Sequence, residues 1–252
     1  MSTAVEQRLV ELWETPKTLH GFFGTVDHKE LGRRYVATAF LFLFIGGLEA
    51  LAMRLQLARP NGTLLSPEMY DQIFTMHGMT MIFWYASPIL SGFAVFRVPL
   101  MIGARDMAFP RLNAFTYWTF LLSGVLLYIA PLLGQAPNDG WYAFAPYNTM
   151  PFSPGFGMDF YDLALTLLTI STAGGAINFV VTILRSRAPG MAISKMPLFM
   201  YSTGTASIVS IFSRDASRSE HNIAKINQDH YGEDHIIALP YFSEPIQLIK
   251  KL

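Results

Sequence analysis

Residues Ile73 to Met101 read IFTMHGMTMIFWYASPILSGFAVFRVPLM, a run with no Asp, Glu or Lys and a single Arg. A hydrocarbon core about 30 Å thick is crossed by roughly 20 residues of helix, so this run is long enough to span a bilayer. It is also too long for a buried strand. Comparable apolar runs fall near 35–55, 115–134 and 159–186, and a partial one near 196–213. Inside lipid only helices and closed barrels satisfy every backbone polar group. None of these runs alternates with the period of two that barrel strands require. The predicted fold class is all-α: a polytopic transmembrane helix bundle of four complete spans plus a partial fifth.

The whole sequence agrees with a membrane home. It is 52% hydrophobic and 14% charged, whereas ordinary soluble domains carry about 25% charged residues. The net charge is zero, so no basic footprint for nucleic acid is present. Cysteine is absent, which excludes disulfides, thiolate metal sites and cysteine nucleophiles. Three regions are expected. Residues 1–34 form a charged N-terminal segment with no apolar core of a cleavable signal, residues 35–213 hold the spans, and residues 214–252 form a polar tail of different character. Its histidines His221, His230 and His235 lack helical i,i+4 spacing and read as solvated residues.

Lys and Arg in short loops set the orientation. Lys29, Arg33 and Arg34 precede the first span, Arg105 and Arg111 lie between the second and third, and Arg185, Arg187 and Lys195 follow the fourth. Those ends are expected to face the cytoplasm. The loop 135–158 has no Lys or Arg and is rich in aromatic residues and proline, which suits an ordered outer loop at the interface.

His77 is the only histidine of the six within a predicted span, and an ionisable group in the membrane is a candidate for function. It lies seven residues in from Tyr70, about 10 Å at the helical rise, in the outer part of the bilayer. Arg54 closes the first span on the same side. Two readings stay open for this pair: a functional imidazole and cation, or a packing histidine and a snorkelling anchor. On the cytoplasmic side Asp106, Asn113, Ser171, Thr172 and Asn178 form a polar ladder. Such groups can hold a file of water, or can glue helices together. Trp141 in the outer loop reads either as an interfacial anchor or as a packing group near a site.

The strings FTMHGMTMIFWYASPILSGF and VPLMIGARDMAFPRLNAFTYW resemble the second and third helices of haem-copper oxidase subunit I. The likeness extends upstream through TVDHKELGRRY and AMRLQLARPNG. Downstream it continues through APNDGWYAFAPYN, SPGFGMDFYDLALTLLTISTAGGAINFVVTILRSRAPGM and KMPLFMYS, and it covers roughly residues 24–212. The A-type branch, with the cytochrome c oxidases, is the best match. The resemblance implies that His77 is an axial ligand of a low-spin haem of the haem a type, that Arg54 hydrogen-bonds a substituent of that haem, and that Trp141 packs near it. It implies that Asp106 stands at the mouth of a proton-uptake channel lined by Asn113, Ser171, Thr172 and Asn178. It also implies partners: the membrane, other oxidase subunits and cytochrome c as electron donor.

The expected function is therefore the N-terminal portion of the haem-binding subunit of a terminal oxidase, which transfers electrons from cytochrome c to oxygen coupled to proton pumping. The expected location is the inner (plasma) membrane with the N-terminus in the cytoplasm. The ligands of the copper ion and of the second haem belong, in the family, to later helices. This sequence is accordingly expected to lack the oxygen-reducing centre and to be inactive alone. The alternative is a truncated, non-catalytic helical remnant that binds no cofactor. A departure is visible before the VPL motif: where the family reads GFGN, this sequence has Gly92, Phe93, Ala94 and Val95, and Arg97 follows. Val95 cannot hydrogen-bond a water where the family places an asparagine.

Overall fold

The computed structural model describes residues 18–143 and 153–212. Among these the secondary structure is entirely helical. A short helix α1 (Leu19–Gly24) is followed by α2 (His28–Gln56), α3 (Pro67–Met101), α4 (Pro110–Leu132), α5 (Gly157–Arg185) and α6 (Leu198–Phe212). Helices α2 to α5 are each long and apolar enough to cross a membrane, and α6 is a shorter apolar helix. The chain is an integral membrane protein.

The helix ends follow cap chemistry rather than the hydropathy edge. The first span starts at residue 28, not 35, because Asp27 caps it by accepting from Lys29 N at 2.8 Å. The second starts at 67, not 73, because Ser66 caps it and Pro67 occupies the first turn, where a missing N–H costs nothing. Pro110 opens the third span five residues before the expected edge in the same way. Polar first turns are invisible to an apolar-run criterion, yet they are helical.

Within α3 the stretch Thr80–Ala86 winds as a π-helix before Ser87–Met101 resumes the α form. Pro88 has no N–H, and its ring clashes with the carbonyl four residues back in a regular α-helix. A wider turn before it relieves that clash.

Helix α2 packs chiefly on α3, and α4 on α5. Two glycines set the first contact. A Cβ on Gly32 would sit 2.8 Å from Phe96 Cβ, and one on Gly92 would sit 2.8 Å from Tyr35 Cβ. The two backbones approach closely because neither position carries a side chain, the usual device where lipid gives no hydrophobic drive for helix association. Trp84, Phe120, Leu127 and Met79 fill the centre, and buried Trp84 donates its indole N–H to Ser123 Oγ at 3.1 Å. At the inner end Arg34 donates to Phe22 O at 2.6 Å and lies 3.9 Å from the centroid of that ring, holding α1 against α2.

Replacing Gly92 by Ala is expected to destabilise the helix bundle by about 1–3 kcal/mol, the usual cost of overpacking. Gly175→Ala, where an added Cβ meets nothing within 4 Å, serves as the neutral control. Thermal unfolding of the detergent-solubilised protein, followed by circular dichroism, measures the difference.

Candidate functional site

The half of the bundle nearer the α2–α3 connection holds His77 near the C-terminal end of the α-helical part of α3. Its Nδ1 is 2.8 Å from the carbonyl oxygen of Gly46 on α2. A carbonyl only accepts, so Nδ1 carries the proton and Nε2 keeps its lone pair. The ring is half-buried and its free nitrogen is a ready metal ligand, oriented by the helix across from it. Beside it, Gly47 would place a Cβ in open space. Arg54, seven residues on and thus on the same face of α2, is exposed and makes no hydrogen bond or ion pair among the described residues. An imidazole with a fixed tautomer, an open helix face and a free cation two turns outward fit one side of a haem, with Arg54 available to an acidic substituent. Among the described residues no cluster of three His, Cys, Asp or Glu side chains could hold a metal ion by itself.

Trp141 lies on this assembly. Its ring approaches to 3.9 Å the place where a Cβ of Gly78, next to His77, would stand. It also packs on Phe83 at 5.9 Å between centroids. The outer loop is pinned there by Gly140 N donating to Thr75 Oγ1 at 2.9 Å and by Tyr161 Oη donating to Trp141 O at 2.8 Å. Asp139 immediately precedes this pinned pair, Gly140 and Trp141, in sequence. Burial pushes its carboxyl above the usual range, and the hydroxyl of Ser153, 3.1 Å from both carboxylate oxygens, offsets part of that rise.

Two groups that sequence reasoning passed over belong to this half. Glu49 sits inside the first span and is half-buried; Tyr128 Oη donates to its Oε1 at 3.0 Å, and Thr80 Oγ1 lies 2.6 Å from the same phenol. Because Tyr128 spends its proton on Glu49, the Thr80 hydroxyl donates to Tyr128. Glu49 Oε2 is buried with no partner. The signal was available: a carboxylate within an apolar run is as unusual as a histidine.

At the opposite end of the bundle Asp106 is partly exposed in the α3–α4 loop, and its Oδ1 accepts from Met107 N at 2.6 Å. His28, 2% exposed, brings Nδ1 to 3.3 Å from that same oxygen, and its Nε2 has no partner. Here too the sequence reading missed a group, because residues before 35 were assigned to the cytoplasmic segment. The helix start at His28 carries the imidazole inward.

The polar ladder divides in two. Asn113, Ser171 and Thr172 line one cavity of about 600 Å³ that is open on one side. Ser171 Oγ donates to Thr116 O at 2.6 Å, Thr172 Oγ1 donates to Leu168 O at 2.8 Å, and Asn113 Nδ2 is buried without a partner. Asn178 does not face that cavity. Its amide is spent on the backbone of Phe109, accepting from N and donating to O, each at 3.0 Å, and Thr182 accepts from Ala108 N at 2.9 Å. These bonds clamp the loop that carries Asp106 against α5.

Residues 30–214 match the family described as Cytochrome C and Quinol oxidase polypeptide I. Over 188 residues, 73% of the chain and 32% of the relative, the sequence is 44% identical to the "Putative cytochrome c oxidase subunit 1-beta" of Streptomyces coelicolor. It is 47% identical to the "Heme-copper oxidase subunit I+III" of Aeropyrum pernix over 71% of the chain and 22% of that protein. It is 43% identical to the "Quinol oxidase subunit 1" of Bacillus subtilis over 75% of the chain and 29% of that protein. The chain thus spans a third or less of the length of these relatives.

Asn178→Leu is expected to leave the Phe109 N–H unpaired, at about 1–3 kcal/mol, while the Phe109 carbonyl keeps its bond from Asn113 N at 3.0 Å. The loss shows in thermal unfolding. A change of less than 1 kcal/mol would mean that water replaces the amide and that the clamp is dispensable.

Proposed function

The chain belongs to the Cytochrome C and Quinol oxidase polypeptide I family, as the N-terminal part of a subunit I, and on that premise we propose that it supplies the low-spin-haem half of a terminal oxidase. The oxidase passes electrons from cytochrome c to oxygen and couples this to proton pumping. The observation that carries the proposal is the fixed tautomer of His77, Nδ1–H on Gly46 O with Nε2 free. When bound, a haem of the a type supplies a one-electron redox centre. This chain's residues hold and orient it: His77 by its nitrogen, Arg54 by its charge, and Trp141 by closing the outer side.

Low-spin iron requires a second strong axial ligand. Of the remaining five histidines His20 belongs to α1 and His28 begins α2, at the opposite end of that span from the Gly46 that His77 contacts, and His221, His230 and His235 fall outside the described residues, as does the expected polar tail. The second imidazole, the copper ligands and the ligand of the oxygen-binding haem therefore come from residues other than these. Asp106 takes protons at the cytoplasmic mouth, with His28 against it, and Asn113, Ser171 and Thr172 continue the path inward. Asn178 serves that path by fixing the loop that carries Asp106. The basic loop ends support an N-terminus in the cytoplasm, and the proposed location is the inner (plasma) membrane, with other oxidase subunits as partners.

The test is a subunit I that carries residues 24–212 in its own N-terminal part, assembled with its other subunits. His77→Ala is expected to abolish the six-coordinate low-spin band in the visible spectrum while the oxygen-binding haem keeps its own. An unchanged low-spin band would sink the proposal. Membranes that contain only the 252-residue chain, in a host without its own terminal oxidases, are expected to show no cyanide-sensitive oxygen uptake with reduced cytochrome c. Uptake above the empty-vector control would place a complete oxygen-reducing centre in this sequence.

A further inference from the structure

The cavity is bounded by α3, α4, α5 and α6, with Tyr35 of α2 also on its wall, and it is open on one side. At about 600 Å³ it has room for many waters, each of which needs about 30 Å³ and two to four polar partners. Its hydroxyls are unequal in what they offer. Ser171, Thr172 and Ser207 each donate their only proton to a backbone carbonyl, so toward the cavity they present lone pairs alone. Asn113 offers the reverse: its Nδ2, on a side chain 1% exposed, is a donor without a partner on the cavity wall. An orphaned amide at such burial calls for water. Between this donor and the midplane hydroxyls stands Val95, 3% exposed and unable to bond anything.

Ser91 is one turn from Val95 on the same face of α3, lines the same cavity, and makes no hydrogen bond among the described residues. It combines a free proton and free lone pairs with a half-buried place one turn from Val95; Thr203 and Ser210 share the free hydroxyl but stand on α6, across the cavity. Ser87, one turn further out, is exposed. By residue count Ser91 lies about 15 Å from the inner end of α3 and Asn113 about 5 Å from that of α4. Ser171 is near the midpoint of α5. Two or three waters cover the remaining 10 Å or so, at the usual spacing of about 2.8 Å between hydrogen-bonded oxygens.

We propose that Ser91 is the relay that carries the proton path past Val95: a water chain runs from Asn113 to the Ser91 hydroxyl and on to Ser171 and Thr172. A proton passes along such a chain when each oxygen accepts on one side and donates on the other. Ser91 does both, whereas a hydroxyl tied to a carbonyl must first break that bond. This rests on the uptake path given to Asp106 above, but its first test does not.

Because the chain has no cysteine, Ser91→Cys and Leu41→Cys each create a unique thiol. Leu41 is 55% exposed on α2 and lies off the cavity wall. In membrane vesicles a cationic methanethiosulfonate reagent attacks thiolate, and each pKa unit by which an apolar surrounding raises a thiol costs tenfold in thiolate. Ser91→Cys is expected to react at least about tenfold faster than Leu41→Cys on that account. Equal rates would show a dry cavity and overturn the proposal, whatever the parent protein does.

The second test uses the assembled oxidase. Ser91→Ala is expected to slow turnover and proton uptake with the haem spectra unchanged, Ser91→Thr to retain them, and Val95→Asn to restore them in the Ser91→Ala background. Slow Asp106→Asn with normal Ser91→Ala would overturn the relay and leave the uptake path standing. Normal turnover in Asp106→Asn would overturn the uptake path, and the relay with it.

Discussion

Every polar group inside hydrocarbon must find a partner, and this requirement organises the bundle. The four spans answer it for the backbone by being helical. Side chains answer it by crossing between helices: His77 to the Gly46 carbonyl, Trp84 to Ser123, Ser171 to the Thr116 carbonyl, and Asn178 to both backbone groups of Phe109. Each bond ties elements far apart in sequence, so polar satisfaction and helix registration are one act. Among the described residues the rule fails at Asn113 Nδ2, Glu49 Oε2, Arg187 Nη1 and both nitrogens of His28; Asn113 and His28 belong to the proposed uptake path, whereas Arg187 lies in the loop after α5.

The architecture was legible in the sequence because hydropathy over about 20 residues is a strong signal that neighbouring contacts do not override. All four complete spans appear where the apolar runs lie, and α6 where the partial fifth was expected. The ends were less legible. Asp27, Ser66 and Pro67 start helices through local hydrogen bonds and a fixed φ, and such polar first turns dilute an apolar average. This error hid His28, whose burial follows from a helix start seven residues earlier than the hydropathy edge.

The candidate site was legible residue by residue but not in its connections. Single-residue reasoning finds His77 because a histidine in lipid is rare. It does not find Gly46, whose contribution is a carbonyl, nor the Tyr128 and Thr80 that surround Glu49, because a tyrosine and a threonine in a span are unremarkable until the helices are packed. The ladder shows the same limit. Asn113 and Asn178 look equivalent in sequence, yet one ends with an orphaned amide facing a cavity and the other with every bond filled by a loop. Counting depth along a helix gives height in the membrane; it does not give the azimuth that separates a cavity wall from a helix contact.

On the proposed uptake path, the division between the two asparagines lets the end of the bundle that carries Asp106 combine rigidity with hydration. Asn178 and Thr182 fix the backbone at Ala108 and Phe109, and Asp106 lies two residues before that clamp. Its carboxylate is thereby held at the His28 imidazole instead of swinging with a free loop. A proton acceptor at a channel mouth gains from such fixing because the geometry of transfer need not be formed anew at each cycle. Beyond it the constraint reverses, since water must reorient to pass a proton and a wall of fully satisfied groups would hold none. The bundle meets both demands by spending its amides at the loop and leaving Asn113 and Ser91 unspent along the cavity.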